Sequence, residues 1–367
     1  MIELRANSLT APAEIASYGG FNLWICTAAG PGIGFGHIKR TCVLAAALKD
    51  CCQPLFLLHP NDHWSREFLK YHDWSYWSME GDQIWSFVQD PTAVLIDTRL
   101  SEGVNDLIRS AQNRGIPVIS IHDLGLQLLP SDIIIDGSIA PKQLGSSFRP
   151  TFYHSGTDYM ILDPIYSWLH QEKKQIRNSI QSIYINLGGG DSARFYPPIL
   201  EGLRLLEKEI EVVGVPGFIS WGQEALTQKN WGRLRFRWES SDIERILFSA
   251  DAAITAGGVS SYEALCAGTP LLCLSYDDFQ RITITHIAVR GGCIDLGPGE
   301  TLDPAVVAGL VSQLESDLER RKNMSRIGRS IVDGRGAERV SQLIRKAIAD
   351  NPMANSLRQL NDAGSDF

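Results

Sequence analysis

Runs of consecutive apolar residues alternate with segments of helical periodicity along most of the chain. In the first half, the apolar runs lie at 21–28, 54–59, 92–98, 117–123 and 132–137. Helical segments separate them, and the one at 101–114 ends with Arg114-Gly115, a common helix C-terminus. Because strands buried on both faces of a parallel sheet have continuous rather than alternating apolar residues, the pattern predicts an α/β fold.

The alternation pauses at about 138–170 and then starts again. The apolar runs of the second half lie at 182–188, 210–215, 233–238, 250–258 and 270–276. A long charged helical region at 303–349 follows, and periodicity alone does not say which half it packs against.

Two such halves predict two Rossmann-like domains that face each other across a cleft. We expect an N-terminal arm at 1–20, a first domain at 21–165, a second domain at 166–350 and a flexible tail at 351–367.

Composition limits the partners of this protein. A hydrophobic content of 44% is that of a globular protein, and a net charge of −8 argues against a sequence-independent nucleic-acid binder. The seven cysteines form no C-x-x-C pair and are odd in number, which favours free thiols in a reducing cytoplasm. Neither a signal peptide nor a membrane span is predicted, so we expect a cytoplasmic protein with no membrane segment.

The first candidate loop, 29–37, directly follows a predicted strand and precedes a helix. Its glycines, among them Gly34 and Gly36, allow a sharp turn and a close approach to a ligand. The spacing does not match a dinucleotide-binding fingerprint. His37 at the mouth of the turn is either a structural histidine or, at this strand–helix junction, a titratable group that faces the cleft.

Two further loops also follow strands and precede helices. They contribute Gly188, Gly189, Gly190 and Asp191, and then Gly257, Gly258, Ser260, Ser261 and Glu263. The first of these two is either an anion cradle or only a tight turn. In the second, Ser260 or Ser261 can cap a helix whose free N–H groups suit a diphosphate. Glu263 then either accepts bonds from ribose hydroxyls in the first turn or closes a capping box with Ser260.

Three more polar side chains, Asp97, Asp123 and Gln280, follow apolar runs and are candidates for the same cleft. The chain contains no D-x-D sequence and no His/Cys cluster with metal-ligand spacing. We therefore expect neither a catalytic metal nor a cofactor. The tryptophan-rich stretch 64–85 is interpreted as packing of an outer helix in preference to a sugar-stacking surface.

Together, these segments resemble the nucleotide-sugar hydrolases of pseudaminic acid biosynthesis, which act on UDP-2,4-diacetamido-2,4,6-trideoxy-β-L-altropyranose, and the related spore-coat polysaccharide proteins. Both groups are relatives of the GT-B glycosyltransferases. The resemblance runs from about residue 22 to about residue 345. It is carried by IGFGHIKR at 33–40, which includes Arg40, and by the Asp97 strand, IHDLG, IIIDGSI, YMILDPIYSWL, LGGGDS, ITAGGVSSYEALCAGTPLL, the Phe279-Gln280 pair and DGRGAERV.

The resemblance implies a metal-independent reaction. His37 would be the general base on a water that attacks the anomeric carbon, with UDP as the leaving group. The loops 188–191 and 257–263 would bind UDP, with the diphosphate on helix N-termini and Glu263 on the ribose.

The sequence departs from the family on the side of the sugar. Phe279 stands where the family usually has Asn, and His122 where an acidic residue is common. Thr98-Arg99 also lacks the usual His or Tyr character. Three hypotheses follow: hydrolysis of a UDP-linked amino sugar, glycosyl transfer from a UDP-sugar, and non-catalytic nucleotide binding.

Overall fold

The structure is a computed structural model, and it describes residues 21–78, 85, 90–98, 102–123, 128–141, 150–189, 192–217 and 223–350. The arm predicted at 1–20 and the tail predicted at 351–367 lie outside these residues. So do Gly190 and Asp191 of the second candidate loop.

The first sheet has seven strands. In chain order they are β1 (Phe21–Thr27), β2 (Cys52–Leu58), β3 (Tyr76–Ser78), β4 (Ala93–Asp97), β5 (Val118–His122), β6 (Ile133–Asp136) and β7 (Phe152–Ser155). Across the sheet the order is β3-β2-β1-β4-β5-β6-β7, and all neighbours pair in parallel. The helices after β1, β2 and β4 are α1 (Gly36–Leu48), α2 (His63–Tyr71) and α3 (Glu102–Asn113).

The second sheet has six strands: β8 (Ser182–Asn186), β9 (Ile210–Gly214), β10 (Leu234–Trp238), β11 (Ala252–Ala256), β12 (Leu271–Ser275) and β13 (Ile294–Pro298). Their order is β10-β9-β8-β11-β12-β13, again parallel. Its helices are α4 (Pro164–Gln171), α5 (Tyr196–Arg204), α6 (Gln223–Gln228), α7 (Ile243–Ser249), α8 (Val259–Ala267), α9 (Asp278–Val289), α10 (Pro304–Ser316) and α11 (Leu318–Ile331).

Each sheet has a topological switch point, where the strand order reverses. In the first sheet it lies between β1 and β4, and in the second between β8 and β11. Open α/β sheets bind ligands at the carboxyl ends of the strands at such points. The three candidate loops follow β1, β8 and β11, so the topology places all of them at switch points.

Both sheets are buried on both faces, as the continuous apolar runs predict. In β1, Leu23 and Ile25 belong to one apolar cluster, and Trp24, between them, belongs to the cluster on the opposite face. The tryptophans of the stretch 64–85 pack against these same two clusters, in agreement with the packing interpretation.

Four segments were not placed by periodicity. Strands β3 and β13 lie outside the predicted apolar runs. The region 138–170, read as irregular, contains strand β7 and helix α4. The region 303–349 is three helices, the last of which is α12 (Gly336–Asp350). Helix α12 crosses back to the first sheet, where Val340, Ile344 and Ile348 complete one of its apolar clusters.

All seven cysteines are free thiols, as expected from their number and spacing. In the described part of the chain, no helix is both long enough and apolar enough to cross a membrane.

Candidate nucleotide-sugar site

The three glycine-containing loops meet across the cleft. A Cβ atom added to Gly34 would lie 3.9 Å from the backbone nitrogen of Gly189, and one added to Gly36 would lie 3.6 Å from the Val259 side chain. The loop of the first sheet therefore contacts both loops of the second sheet. A ligand held there touches both halves of the chain.

His37 lies in the first turn of α1 and is oriented by Asp97 at the end of β4. Its Nδ1 is 2.7 Å from Asp97 Oδ1. The His37 side chain keeps 13% of its surface exposed, whereas Asp97 is fully buried. Asp97 thus fixes the Nδ1 side of the imidazole, and part of the side chain remains exposed.

Arg40, one turn after His37, binds the same aspartate with two nitrogens. Nε donates to Asp97 Oδ2 at 2.5 Å, and Nη2 donates to Asp97 Oδ1 at 2.6 Å. Its Nη1 forms an ion pair with Asp123, although its N–H bonds are not aligned for a hydrogen bond. A buried guanidinium is stable only when it is paired in this way.

This network decides which nitrogen of His37 carries the proton. Burial alone would raise the pKa of Asp97, but the charge of Arg40 and the hydrogen bonds from Arg40 and His37 outweigh it and lower that pKa. Asp97 is therefore an ionised acceptor, and the proton between the two groups belongs to His37 Nδ1. The 2.9 Å approach of Arg40 Nη2 to Nδ1 is then a contact between two donors. The lone pair on Nε2 is left free to accept a proton.

Arg40 and Asp97 were predicted as ligand-binding residues, and their polar atoms instead contact each other and His37. Arg40 is only 3% exposed, and its charged form is strongly favoured, because Asp123 and Asp97 together outweigh the burial that would lower its pKa. Whether either residue touches a ligand stays a prediction. The observed contacts of Arg40 and Asp97 are those of residues that position His37.

The turn after β8 is built on a glycine that a larger residue cannot replace without strain. Gly188 has φ +82°, and no atom lies within 4 Å of where a Cβ would project. Its N–H donates to Asn186 Oδ1 at 3.0 Å, and Ser192 donates to its carbonyl at 3.1 Å. Asn186 in turn donates to the Tyr184 hydroxyl at 3.1 Å. Asn186 and Tyr184 were not among the predicted site residues, although their i, i+2 spacing puts both on one face of β8.

The third loop differs from its predicted form. The N-cap of α8 is Gly258, and no side chain caps the helix. The prediction that Ser260 or Ser261 caps it is wrong, because the helix begins at Val259, before both serines; the Ser261 hydroxyl donates back to the Gly258 carbonyl at 2.7 Å. The Ser261 N–H donates to the Gly258 carbonyl at 3.0 Å. Because no side chain caps the helix, the N–H groups of Val259 and Ser260 are the ones that an anion could use.

The two glycines of the third loop differ in their surroundings: a side chain at Gly257 would collide with its neighbours, whereas a side chain at Gly258 would project into open space. A Cβ on Gly257 would lie 2.7 Å from the Gln280 carbonyl, whereas one on Gly258 would meet no atom within 4 Å. The predicted residue Gln280 therefore lies directly beside the loop. Its side-chain oxygen accepts from the Tyr276 N–H at 3.1 Å, which leaves its NH₂ group as the donor that a ligand can use.

Glu263 lies in the second turn of α8, not in the first, because the helix starts at Val259. For the same reason it forms no capping box with Ser260. Burial raises its pKa to about 7; the charge of Lys39 opposes this rise and the charges of Glu244 and Asp163 add to it. The carboxyl group lies close enough to Tyr166 and Tyr184 to raise the pKa of both phenols further, after burial.

His122, at the end of β5, is buried and uncharged. Burial lowers its pKa to about 4, although the neighbouring Asp136 and Asp97 oppose this. Its Nε2 lies 3.0 Å from the Ser120 hydroxyl. It lies close enough to Asp97, Arg40 and Asp123 for their charges to act on it, and it adds no charge of its own.

No group of three or more His, Cys, Asp or Glu side chains in the described ranges is arranged to hold a metal ion. A cavity of about 460 Å³ exists elsewhere, at the amino ends of β5, β6 and β7 beside α12. It is mostly apolar and lies at the opposite edge of the sheet from His37, so it is not part of the cleft.

The two parallel Rossmann-like sheets and the cleft between them define the GT-B fold of glycosyltransferases. MurG of Acinetobacter baumannii superposes with a TM-score of 0.64 at 16% sequence identity, over 89% of this chain and 99% of that one. A UDP-glucosyltransferase from Polygonum tinctorium that glucosylates indoxyl superposes with a TM-score of 0.58 at 14% identity, over 93% and 100% of the two chains.

Among characterised sequences, the chain is similar to the spore coat polysaccharide biosynthesis protein SpsG of Bacillus subtilis. The two are 26% identical over 322 residues, which cover 85% of this chain and 94% of SpsG. No protein-family model matches the chain.

Proposed function

We propose that this protein cleaves the bond between the anomeric carbon of a sugar and the diphosphate of UDP, with His37 as the general base. The observation that carries the proposal is the hydrogen bond of 2.7 Å between His37 Nδ1 and an ionised, buried Asp97. It fixes the tautomer in which Nε2 is unprotonated at the exposed edge of the ring. A base so oriented is the arrangement of the Ser-His-Asp enzymes, with a hydroxyl group of the substrate or water in place of serine.

In the proposed step, Nε2 removes a proton from an oxygen nucleophile as that oxygen bonds to the anomeric carbon. The bond from this carbon to the diphosphate oxygen breaks, and its electron pair leaves with UDP. His37 becomes an imidazolium whose charge is balanced by Asp97. The proton returns to solvent after product release.

The leaving diphosphate is proposed to bind between the second and third loops. The start of α8 supplies N–H groups and the turn at Gly188 supplies open space, and together these suit negative charge without a side-chain cation. Glu263, one helical turn further, is proposed to accept the ribose hydroxyls. Gly34 and Gly36 are proposed to bring the first sheet close to the sugar.

The nucleophile is proposed to be water. The similarity to the hydrolases of pseudaminic acid biosynthesis at IGFGHIKR supports hydrolysis of a UDP-linked amino sugar for surface-polysaccharide synthesis, and the relationship to SpsG is consistent with such a pathway. Transfer to a sugar hydroxyl is the second candidate. The exposed phenyl ring of Phe279 beside Gln280 favours it, since the family's usual asparagine would be polar there.

The deciding experiment incubates the protein with UDP-2,4-diacetamido-2,4,6-trideoxy-β-L-altrose, without acceptor or added metal, and follows the anomeric proton and UDP by NMR. Release of free sugar together with UDP, lost in His37→Ala, supports hydrolysis with His37 as base. His286→Ala is the matched control, because that imidazole is exposed near the end of α9, far from Asp97. An intact donor with UDP bound would favour the transferase, and failure to bind UDP would overturn the proposal.

A further inference from the structure

The apolar cavity at the amino ends of β5, β6 and β7 is separate from the cleft. Its volume of about 460 Å³ lies within the range of sites that hold small molecules, about 300 to 1,000 Å³. One wall belongs to the sheet and the other to the C-terminal half of α12. The apolar side chains of the two walls include Ile116, Ile133, Leu343 and Ala347. The first sheet therefore carries a second ligand-sized space, which the proposed function does not use.

Two aromatic rings line this cavity. Phe152 and His154 are two residues apart on β7 and therefore lie on the same face of that strand. Their ring planes are inclined by only 18°, and the ring centroids are 6.4 Å apart. The phenyl group of Phe152 is 54% exposed although it borders an apolar wall. Two nearly parallel rings with this much open surface are suited to pack against a planar ligand.

The cavity also has a cation that no described side chain neutralises. Lys346 lines it from α12 and is exposed, and in the described ranges it has no ion-pair or hydrogen-bond partner. Burial lowers the pKa of His154, and the charge of Lys346 lowers that pKa further, so this imidazole is uncharged at neutral pH. Asp132 lines the cavity as well, but its Oδ2 accepts the Val118 N–H at 2.9 Å. The ammonium group is thus free to bind an anion.

We propose that this cavity binds a small planar organic anion, whose rings lie between the sheet and α12 and whose anionic group pairs with Lys346. The rings pack on Phe152 and His154. A carboxylate, sulfonate or phosphate forms the charge-assisted hydrogen bond that Lys346 lacks. A sugar nucleotide does not fit this chemistry, because its many hydroxyl groups would face apolar walls without partners.

The test titrates the full chain with 8-anilinonaphthalene-1-sulfonate, a planar aromatic anion, and follows its fluorescence with and without excess UDP. N-phenyl-1-naphthylamine, which has the same rings and no charge, is titrated in parallel. We expect one saturable site for each dye, from which UDP displaces neither. Lys346→Gln should weaken binding of the anionic dye by about 2- to 5-fold, the effect of a partly exposed ion pair, and should leave the uncharged dye unchanged.

A second variant tests the aromatic wall. Phe152→Ala should weaken binding of both dyes by about 10-fold, because each loses a ring contact. Its urea midpoint should stay near that of the wild type, since the phenyl group is more than half exposed. Lys173→Gln is the matched control, because Lys173 is an exposed lysine two residues after the end of α4 and does not line the cavity. It should bind both dyes as the wild type does.

Several outcomes would overturn the inference. Displacement of the dyes by UDP would place them in the cleft, and unchanged binding to Phe152→Ala would place them on another surface. An equal loss of both dyes in Lys346→Gln would remove the anion from Lys346.

Other occupants of the cavity would be recognised by when the dyes bind. Binding seen only after removal of residues 351–367 would assign the cavity to the chain's own C-terminal segment. Binding seen only after dilution to a monomer would assign it to a second copy. Either result would overturn the inference, and neither would affect the proposed function, because no arm of the test uses a UDP-sugar reaction.

Discussion

Replacing Asp97 by asparagine tests whether the buried carboxylate sets the tautomer of His37. Asp97 accepts three close bonds, from Arg40 Nε at 2.5 Å, Arg40 Nη2 at 2.6 Å and His37 Nδ1 at 2.7 Å. An amide has only one oxygen and cannot accept at both positions. When that oxygen takes the Oδ2 position beside Arg40 Nε, the NH₂ group takes the Oδ1 position beside His37 Nδ1. The NH₂ group then points at Nδ1, which must accept, and the imidazole proton moves to Nε2. His37 then has no unprotonated Nε2 and can no longer act as the base.

The expected loss of rate is large. An incorrect tautomer of a catalytic histidine costs about 10³- to 10⁴-fold in kcat, which corresponds to about 4 to 5.5 kcal/mol. Stability should also fall, because Arg40 keeps only Asp123 as an anionic partner. Removing one member of a buried ion pair costs about 3 to 5 kcal/mol.

The assay compares the rate of UDP release in Asp97→Asn, His37→Ala and the double variant, with unfolding by urea in parallel. The double variant should be no slower than His37→Ala. Asp251→Asn is the control, because Asp251 is also buried and bound to an arginine, Arg177, at the far end of the second sheet. It should lose stability and keep its rate. If Asp97→Asn released UDP within about 10-fold of the wild type, the tautomer argument would be refuted.

Three further variants test the rest of the site. Gly188→Ala should cost about 1 to 2 kcal/mol of stability, because φ is +82°, and should weaken UDP binding measured by calorimetry. Gly115→Ala is its control, since Gly115 has φ +71° and a Cβ there also meets no atom within 4 Å. It should cost the same stability and leave UDP binding intact. Gly257→Ala should destabilise by about 1 to 3 kcal/mol, since its Cβ would lie 2.7 Å from the Gln280 carbonyl; an unchanged urea midpoint would contradict this packing. Glu263→Gln should abolish uridine binding and change the pH dependence of unfolding. Folding raises the pKa of Glu263 from 4.5 to about 7, so between these values the folded wild type holds a proton that the unfolded chain releases. The stability of the wild type relative to the variant is therefore greatest below pH 4.5 and falls by about 3 kcal/mol as the pH rises to 7 and beyond. If the unfolding free energy of both proteins changed equally with pH, this assignment would be wrong.

The fold was largely predictable because a strand buried on both faces of a parallel sheet is a run of consecutive apolar residues, which is visible in the sequence. Each apolar run predicted in the first half corresponds to a strand. The candidate loops followed from the rule that ligands bind at the carboxyl ends of the strands. Strand β7 was missed since its residues, such as Phe152, are partly exposed and break the apolar pattern.

The details of the site depend on contacts between distant parts of the chain. Asp97 was predicted as a cleft residue from its position at the end of an apolar run, and its contacts with His37 and Arg40 could not be predicted because they require the β1–β4 neighbour relation. Because α8 begins at Val259, Glu263 falls in the second turn of the helix instead of the first. A difference of one or two residues in the helix start is the usual uncertainty of helix boundaries. Whether α12 packed on the first or the second sheet was left open, because an amphipathic helix shows that it has an apolar face and not which partner covers it.

The return of α12 gives the chain a double hinge. The backbone passes between the sheets once near Met160 and again near Gly336, and the two passages are packed together: a Cβ on Gly336 would overlap the Met160 carbonyl, and one on Gly334 would lie 2.7 Å from the Ser167 nitrogen. The two crossings therefore form a single packed connection between the halves of the chain. The first half also cannot be obtained by cutting the chain after residue 165, because its core would lack Val340, Ile344 and Ile348; it would fold only with residues 336–350 joined back to it.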